Sequence, residues 1–119
     1  MSSEEKLFAQ LWDNINGYMN DGWLDSTILA SERRPDEPFA DTGMVLKRLL
    51  ALGASKRDLA LLVRSGCYDG TFSTLYDIQE AGLSCEDLVA VHEGLLSADP
   101  SGLEGRPGSA PAMQPKPDD

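Results

Sequence analysis

The chain has two cysteines, one histidine and, between Ser65 and Gly105, no lysine or arginine at all. Cys67 and Cys85 form no Cys-x-x-Cys pair, and no histidine stands at metal-ligand spacing from either. A zinc module and a disulfide-stapled scaffold are therefore not indicated, and both thiols are expected as reduced core residues, with a disulfide or a reactive thiol as the alternative. No stretch approaches the roughly 18 consecutive apolar residues of a membrane span. The start, Met1-Ser2-Ser3-Glu4-Glu5, has neither the basic opening nor the apolar run of a secretory signal, so a cytoplasmic setting is expected.

Motifs for chemistry are scarce as well. There is no nucleophile elbow, no phosphate loop and no His-rich metal spacing. Sequence leaves open a dyad of His92 with Cys67 or Cys85, because such pairs assemble in space. His92 is expected instead as a partly buried imidazole beside Leu88 and Leu95. The stretch from Asp13 to Asp25 is rich in Asp, Asn and Gly, but it fails as a calcium loop. With Gly17 at the loop's sixth position, Trp12 would be the first ligand; with Gly22 there, Gly17 and Met19 would be ligands. No enzyme activity, metal or cofactor is expected.

What the chain does have is acid. Ten basic and twenty acidic side chains leave a net charge of −10 on 119 residues. Such a field repels nucleic acid and anionic lipid and attracts basic partners. It is unevenly spread: Arg33 to Arg64 is net basic, whereas Asp69, Asp77, Glu80, Glu86, Asp87, Glu93, Asp99 and Glu104 stand without a cation among them. Apolar content of 41% fits a globular chain, and the length suits one domain.

The chain also repeats itself. Gly53-Ala54-Ser55-Lys56-Arg57-Asp58-Leu59 and Gly82-Leu83-Ser84-Cys85-Glu86-Asp87-Leu88 share the pattern Gly-x-Ser-x-x-Asp-Leu. Glycine just past a helix adopts a left-handed conformation without a Cβ clash. Serine two residues on accepts from the third amide of the next helix, and Asp in the first turn suits the positive helix end. Each copy therefore spells a sharp helix-turn-helix corner. The likeness extends backward, pairing Thr42 with Thr71, Leu46 with Leu75 and Leu49 with Ile78.

Apolar spacing predicts a helix over 3–19, capped by Ser2 with Glu5, and a shorter one over 23–32 started by Asn20-Asp21-Gly22. The Pro35–Pro38 stretch is a loop. Asp41 or Thr42 caps a helix to Leu52, and Lys56 to Ser65 follows the first corner. Gly66-Cys67-Tyr68-Asp69-Gly70 reads as a connection, Thr71 caps a helix ending at Ala81, and a last helix ends near Ser97. The expected fold is all-α, a compact bundle of about six short helices containing two similar hairpins, 42–65 and 71–94. Residues 1–97 form the domain; 98–119, with five prolines, are expected as a disordered tail.

Two resemblances bear on function. Leu49-Leu50-Ala51-Leu52-Gly53-Ala54-Ser55, followed by a helix and surrounded by Lys47, Arg48, Lys56, Arg57 and Arg64, resembles the helix-hairpin-helix class. That resemblance implies phosphate or nucleic-acid binding through Ser55, Lys56 and Arg57, although Ser55 replaces the second glycine of the class. Phe39 to Gly43, Leu49 to Ser55, Asp58-Leu59, Leu62 to Arg64, Tyr68-Asp69 and Phe72 to Tyr76 together resemble small bacterial helical domains of unknown function. Some proteins of such size and acidity are immunity proteins that neutralise a toxin. This resemblance implies a bacterial, all-α, non-enzymatic protein.

The leading expectation is a protein-binding module whose acidic C-terminal hairpin meets a basic protein surface, a toxin or another cytoplasmic partner. Asp77, Glu80, Glu86, Asp87 and Glu93 would supply charge, and Tyr68 or Tyr76 would anchor. A homodimer through exposed Phe8 and Trp12 is a third possibility.

Overall fold

The computed structural model describes residues 2–20 and 22–113. Among them are four α-helices and no strand: α1 (Ser3–Asn16), α2 (Gly22–Arg33), α3 (Asp41–Ala51) and α4 (Lys56–Ala81). The chain is all-α, as expected. Helix α1 begins as the sequence spells it, the Glu5 amide donating to Ser2 Oγ at 3.1 Å. It tightens at its end into a 3-10 turn, Gly17–Met19. Helix α2 opens with the Gly22 amide on Asn20 Oδ1 at 3.0 Å; Asp21, the other expected starter, lies outside the described residues. The Trp23 indole donates to the Tyr18 carbonyl at 2.7 Å and meets the Tyr18 ring edge-on, fixing the turn between the two helices.

Helices α2 and α3 form the tightest pair. Leu24, Leu46 and Leu59 make the buried centre, with Trp23, Ile28, Leu49, Leu50 and Ala54 packed around them. The helices approach so closely that a Cβ on Gly43 would stand 2.6 Å from the Thr27 carbonyl oxygen and also strike Ser31. Ser31 is buried, and its hydroxyl accepts from the Gly43 amide at 3.0 Å. Gly43 is the third residue of α3, where a side-chain cap ordinarily serves. Neither Asp41 nor Thr42 caps this helix: Ala40 holds the cap position without a side-chain bond, and the missing acceptor comes from α2.

The first corner has the expected geometry. Gly53 is left-handed (φ 104°); the Ala54 amide donates to the Leu49 carbonyl at 3.0 Å and the Gly53 amide to that of Leu50 at 3.1 Å. These two bonds close a Schellman motif. Ser55 then starts α4, accepting from the Asp58 amide at 3.0 Å.

Beyond this corner the expected architecture needs correction. Residues 66–70 are no connection, because α4 runs 26 residues without a break. Gly66 and Gly70 each cost about 1 kcal/mol relative to alanine in a helix interior. Helix α1 splints the weak stretch: Tyr68 packs on Trp12 with centroids 5.7 Å apart, and Arg64 donates to Asn16 Oδ1 at 3.0 Å while lying over the Trp12 ring. Thr71 is therefore not a cap but a mid-helix residue.

The hairpin expected over 71–94 is absent for the same reason and for a second one. Gly82 is left-handed (φ 67°) and ends α4 as predicted. Ser84 and Asp87 close a reciprocal cap, the Asp87 amide on Ser84 Oγ at 3.2 Å and the Ser84 amide on Asp87 Oδ2 at 2.8 Å. Yet no α-helix follows. Residues 85–98 are successive turns and two short 3-10 helices (Val91–Gly94 and Leu96–Ala98), interrupted by Ala90 at φ 56°. Cys85 and His92, expected in or beside a core, are exposed; Cys67 is half-buried.

The segment after Ala98, expected as disordered, is a series of hydrogen-bonded turns as far as Ser109. Asp99 Oδ2 accepts from the Gly105 amide at 2.8 Å, and the Gly105 carbonyl accepts from the Phe39 amide at 2.7 Å. Residues 114–119 of the expected tail lie outside the described residues.

Candidate functional site

Because α4 is continuous, residues spaced three and four apart across its second half share one side. Tyr68, Phe72, Leu75 and Tyr76 form such a row, and each keeps more than a third of its surface in solvent. Tyr68 and Phe72 stand 6.3 Å apart between ring centroids, and Trp12 of α1 extends the row from the other side of Tyr68. Phe8 and Trp12 are themselves about half exposed, which leaves an apolar face for a partner or a second copy.

Arg64 lies over the Trp12 ring at one end of this row; beyond Tyr68 the charges around it are all acidic. Asp69 and Glu80 fall along its border at helical spacing, whereas Asp77 projects from the opposite side of α4. Glu86 and Asp87 lie in the turns beyond Gly82, and Glu93 in the following 3-10 helix. Among the described residues, Asp77, Glu80, Glu86 and Glu93 make no hydrogen bond or ion pair through their carboxylates. Asp87 is different: hydrogen bonds from the Ser84 amide and hydroxyl stabilise its charged form and hold its pKa below the ordinary value. The structure thus joins Tyr68, Tyr76 and Glu80 on one helix but does not gather all five expected acids on one face.

Trp12 and Phe72 belong to the row and were not among the expected anchors. The signal for Phe72 was present, since 68, 72 and 76 are four apart. It was hidden by reading a helix break at Gly70.

The alternative site at the first corner is partly occupied by the fold itself. The Ser55 hydroxyl serves the Asp58 amide, Lys56 Nζ stands 3.5 Å from Asp25 Oδ2, and Lys47 pairs with Glu32 at 2.9 Å. Arg57 lies with Lys56, Met19, Asn20 and Ala60 around an open depression.

A separate depression of about 520 Å³ beside the α2–α3 loop is lined by Ser26, Thr27, Ser31, Arg34, Phe39 and Thr42 among others, with neither Cys nor His. No described helix is long and apolar enough to cross a membrane. Compared with known proteins, the chain matches no family model, no curated protein and no solved structure, so any functional reading stands on this geometry alone.

Proposed function

We propose that this protein is a non-enzymatic, cytoplasmic binding module whose acidic C-terminal half docks a basic protein. One observation carries the reading: an exposed aromatic row, Tyr68–Phe72–Tyr76, lies in a stretch from Ser65 to Gly105 that has no positive charge. Aromatic side chains give large contact area at low entropic cost, and the surrounding acids speed encounter with a basic surface. An immunity or inhibitor protein acting on a basic toxin is the version of this role that its size and acidity suit best.

The test is capture of a partner from native lysate on the immobilised chain across a salt series. Reversing Glu80, Glu86 and Asp87 to lysine should slow association at least about tenfold and flatten its salt dependence. Tyr68→Ala with Tyr76→Ala should instead speed dissociation. Capture indifferent to both sets sinks the reading.

Phosphate or nucleic-acid binding through Ser55, Lys56 and Arg57 ranks second, supported by the two adjacent cations at the start of α4. Salt-sensitive oligonucleotide retention that is lost on Lys56→Glu with Arg57→Glu would reverse the order.

A further inference from the structure

The residues after Gly82 have the sequence of an α-helix and the conformation of a turn. The reciprocal Ser84–Asp87 cap, which lowers the cost of starting a helix, is already made. From Cys85 to Asp99 there is no proline, and Gly94 is the sole glycine. At 100° per residue, Leu88, Val89, Val91, Leu95 and Leu96 would lie within one half of a helix with His92 among them, and Glu86, Asp87 and Glu93 would lie on the other half. Instead Val89 and Leu95 are 77% and 75% exposed, and Ala90 is held in a left-handed conformation that disfavours any residue with a Cβ. Leu96 rests beside Gly105, but the rest of the segment lacks a surface to lie on.

Charge decides which surface. The row Tyr68–Phe72–Tyr76 of the same chain is bordered by Asp69 and Glu80, so folding back onto it would bring Glu86, Asp87 and Glu93 toward like charges. The same row on a second copy presents the same acids, and in the basic stretch from Arg33 to Arg64 two of the cations, Lys47 and Lys56, are already paired with Glu32 and Asp25. The complement is an apolar surface rimmed by lysine or arginine. We infer that residues 84–98 are a latent helix that completes when the chain docks on such a basic-rimmed apolar surface of another protein, and this rests on the reading proposed above. Ordering on contact lets a short segment bury its apolar side only in the presence of the right partner.

The probe is a helical peptide of about 18 residues with leucine on one side and lysine on the other, added to the full chain. Carbon chemical shifts over residues 85–98 should be interrupted at left-handed Ala90 in the free protein and become continuously α-helical on titration. A peptide of equal charge with serine in place of leucine should bind at least about tenfold more weakly. Two variants keep every charge and large apolar side chain: Gly94→Ala should tighten binding about fivefold, and Ala90→Gly should weaken it about fivefold.

Binding that is lost on Glu86→Lys with Asp87→Lys, yet leaves 85–98 interrupted at Ala90 and ignores both helix-propensity variants, overturns the latent helix and leaves the acidic binding module intact. No binding of the peptide at low salt overturns both. Continuously α-helical shifts over 85–98 in the free chain also overturn the inference, because the segment would then have found its surface within the molecule.

Discussion

The two Gly-x-Ser-x-x-Asp-Leu corners receive the same local instructions and have different outcomes. Both glycines are left-handed, and both serines accept from the aspartate amide three residues on. The second cap is the more complete, since only there does the aspartate answer the serine amide. Yet the first corner launches a 26-residue helix and the second launches turns. The difference lies in what waits for the next turn of chain. Leu59 and Ala60 land against α2, α3 and the Gly17–Met19 turn and are buried, whereas Leu88 is only half-buried and Val89 faces solvent. A cap lowers the cost of starting a helix; burial of an apolar side makes it persist.

The comparison should break most visibly at its buried end. Leu59→Ala removes a side chain from the central cluster and should cost about 3 kcal/mol in urea unfolding, while Val89→Ala, mostly exposed, should stay within about 0.5 kcal/mol. Equal losses at both positions would mean that the second corner is packed after all. A smaller contrast concerns the caps: Ser55→Ala should cost about 1 kcal/mol of global stability, and Ser84→Ala much less, because no α-helix depends on it.

The smallest effect is in titration. Ser84 holds the Asp87 carboxyl below the ordinary value of 3.8, and hydrogen bonds from Gly105 and Ser101 do the same for Asp99. A carboxylate depressed by folding stabilises the native state above its unfolded pKa, and that contribution fades as pH falls through the lower folded value. NMR titration should therefore place both midpoints below 3.8, and Ser84→Ala should raise that of Asp87 alone.

What could be read from the chain divides along the same line. The corners, the Ser2 cap, α2 and α3 within a residue or two, and the cation-free stretch all follow from neighbours in sequence, and they are present. The continuity of α4 does not, because the residues that steady Gly66 and Gly70 are Trp12 and Asn16, about fifty positions away. Nor does the start of α3, where the acceptor for the Gly43 amide is Ser31 on the preceding helix. The aromatic row was legible in its spacing and lost in the misplaced break. Charge was legible as a run of acids, but the placement of Asp77 away from Glu80 required the helix to be seen whole.

The clasp between Asp99, Gly105 and Phe39 sets where this molecule ends as a physical object. Phe39 is left-handed at φ 57° and gives its amide to a carbonyl more than sixty residues onward, at the entrance to the most tightly packed pair of helices. Trimming the gene after Ala98, as its prolines invite, would hand that amide to water and remove the Gly105 backbone against which the Phe39 ring rests. The shortest version worth expressing therefore reaches past Gly105, and a stub that stops earlier should fray first between α2 and α3, far from the cut in sequence.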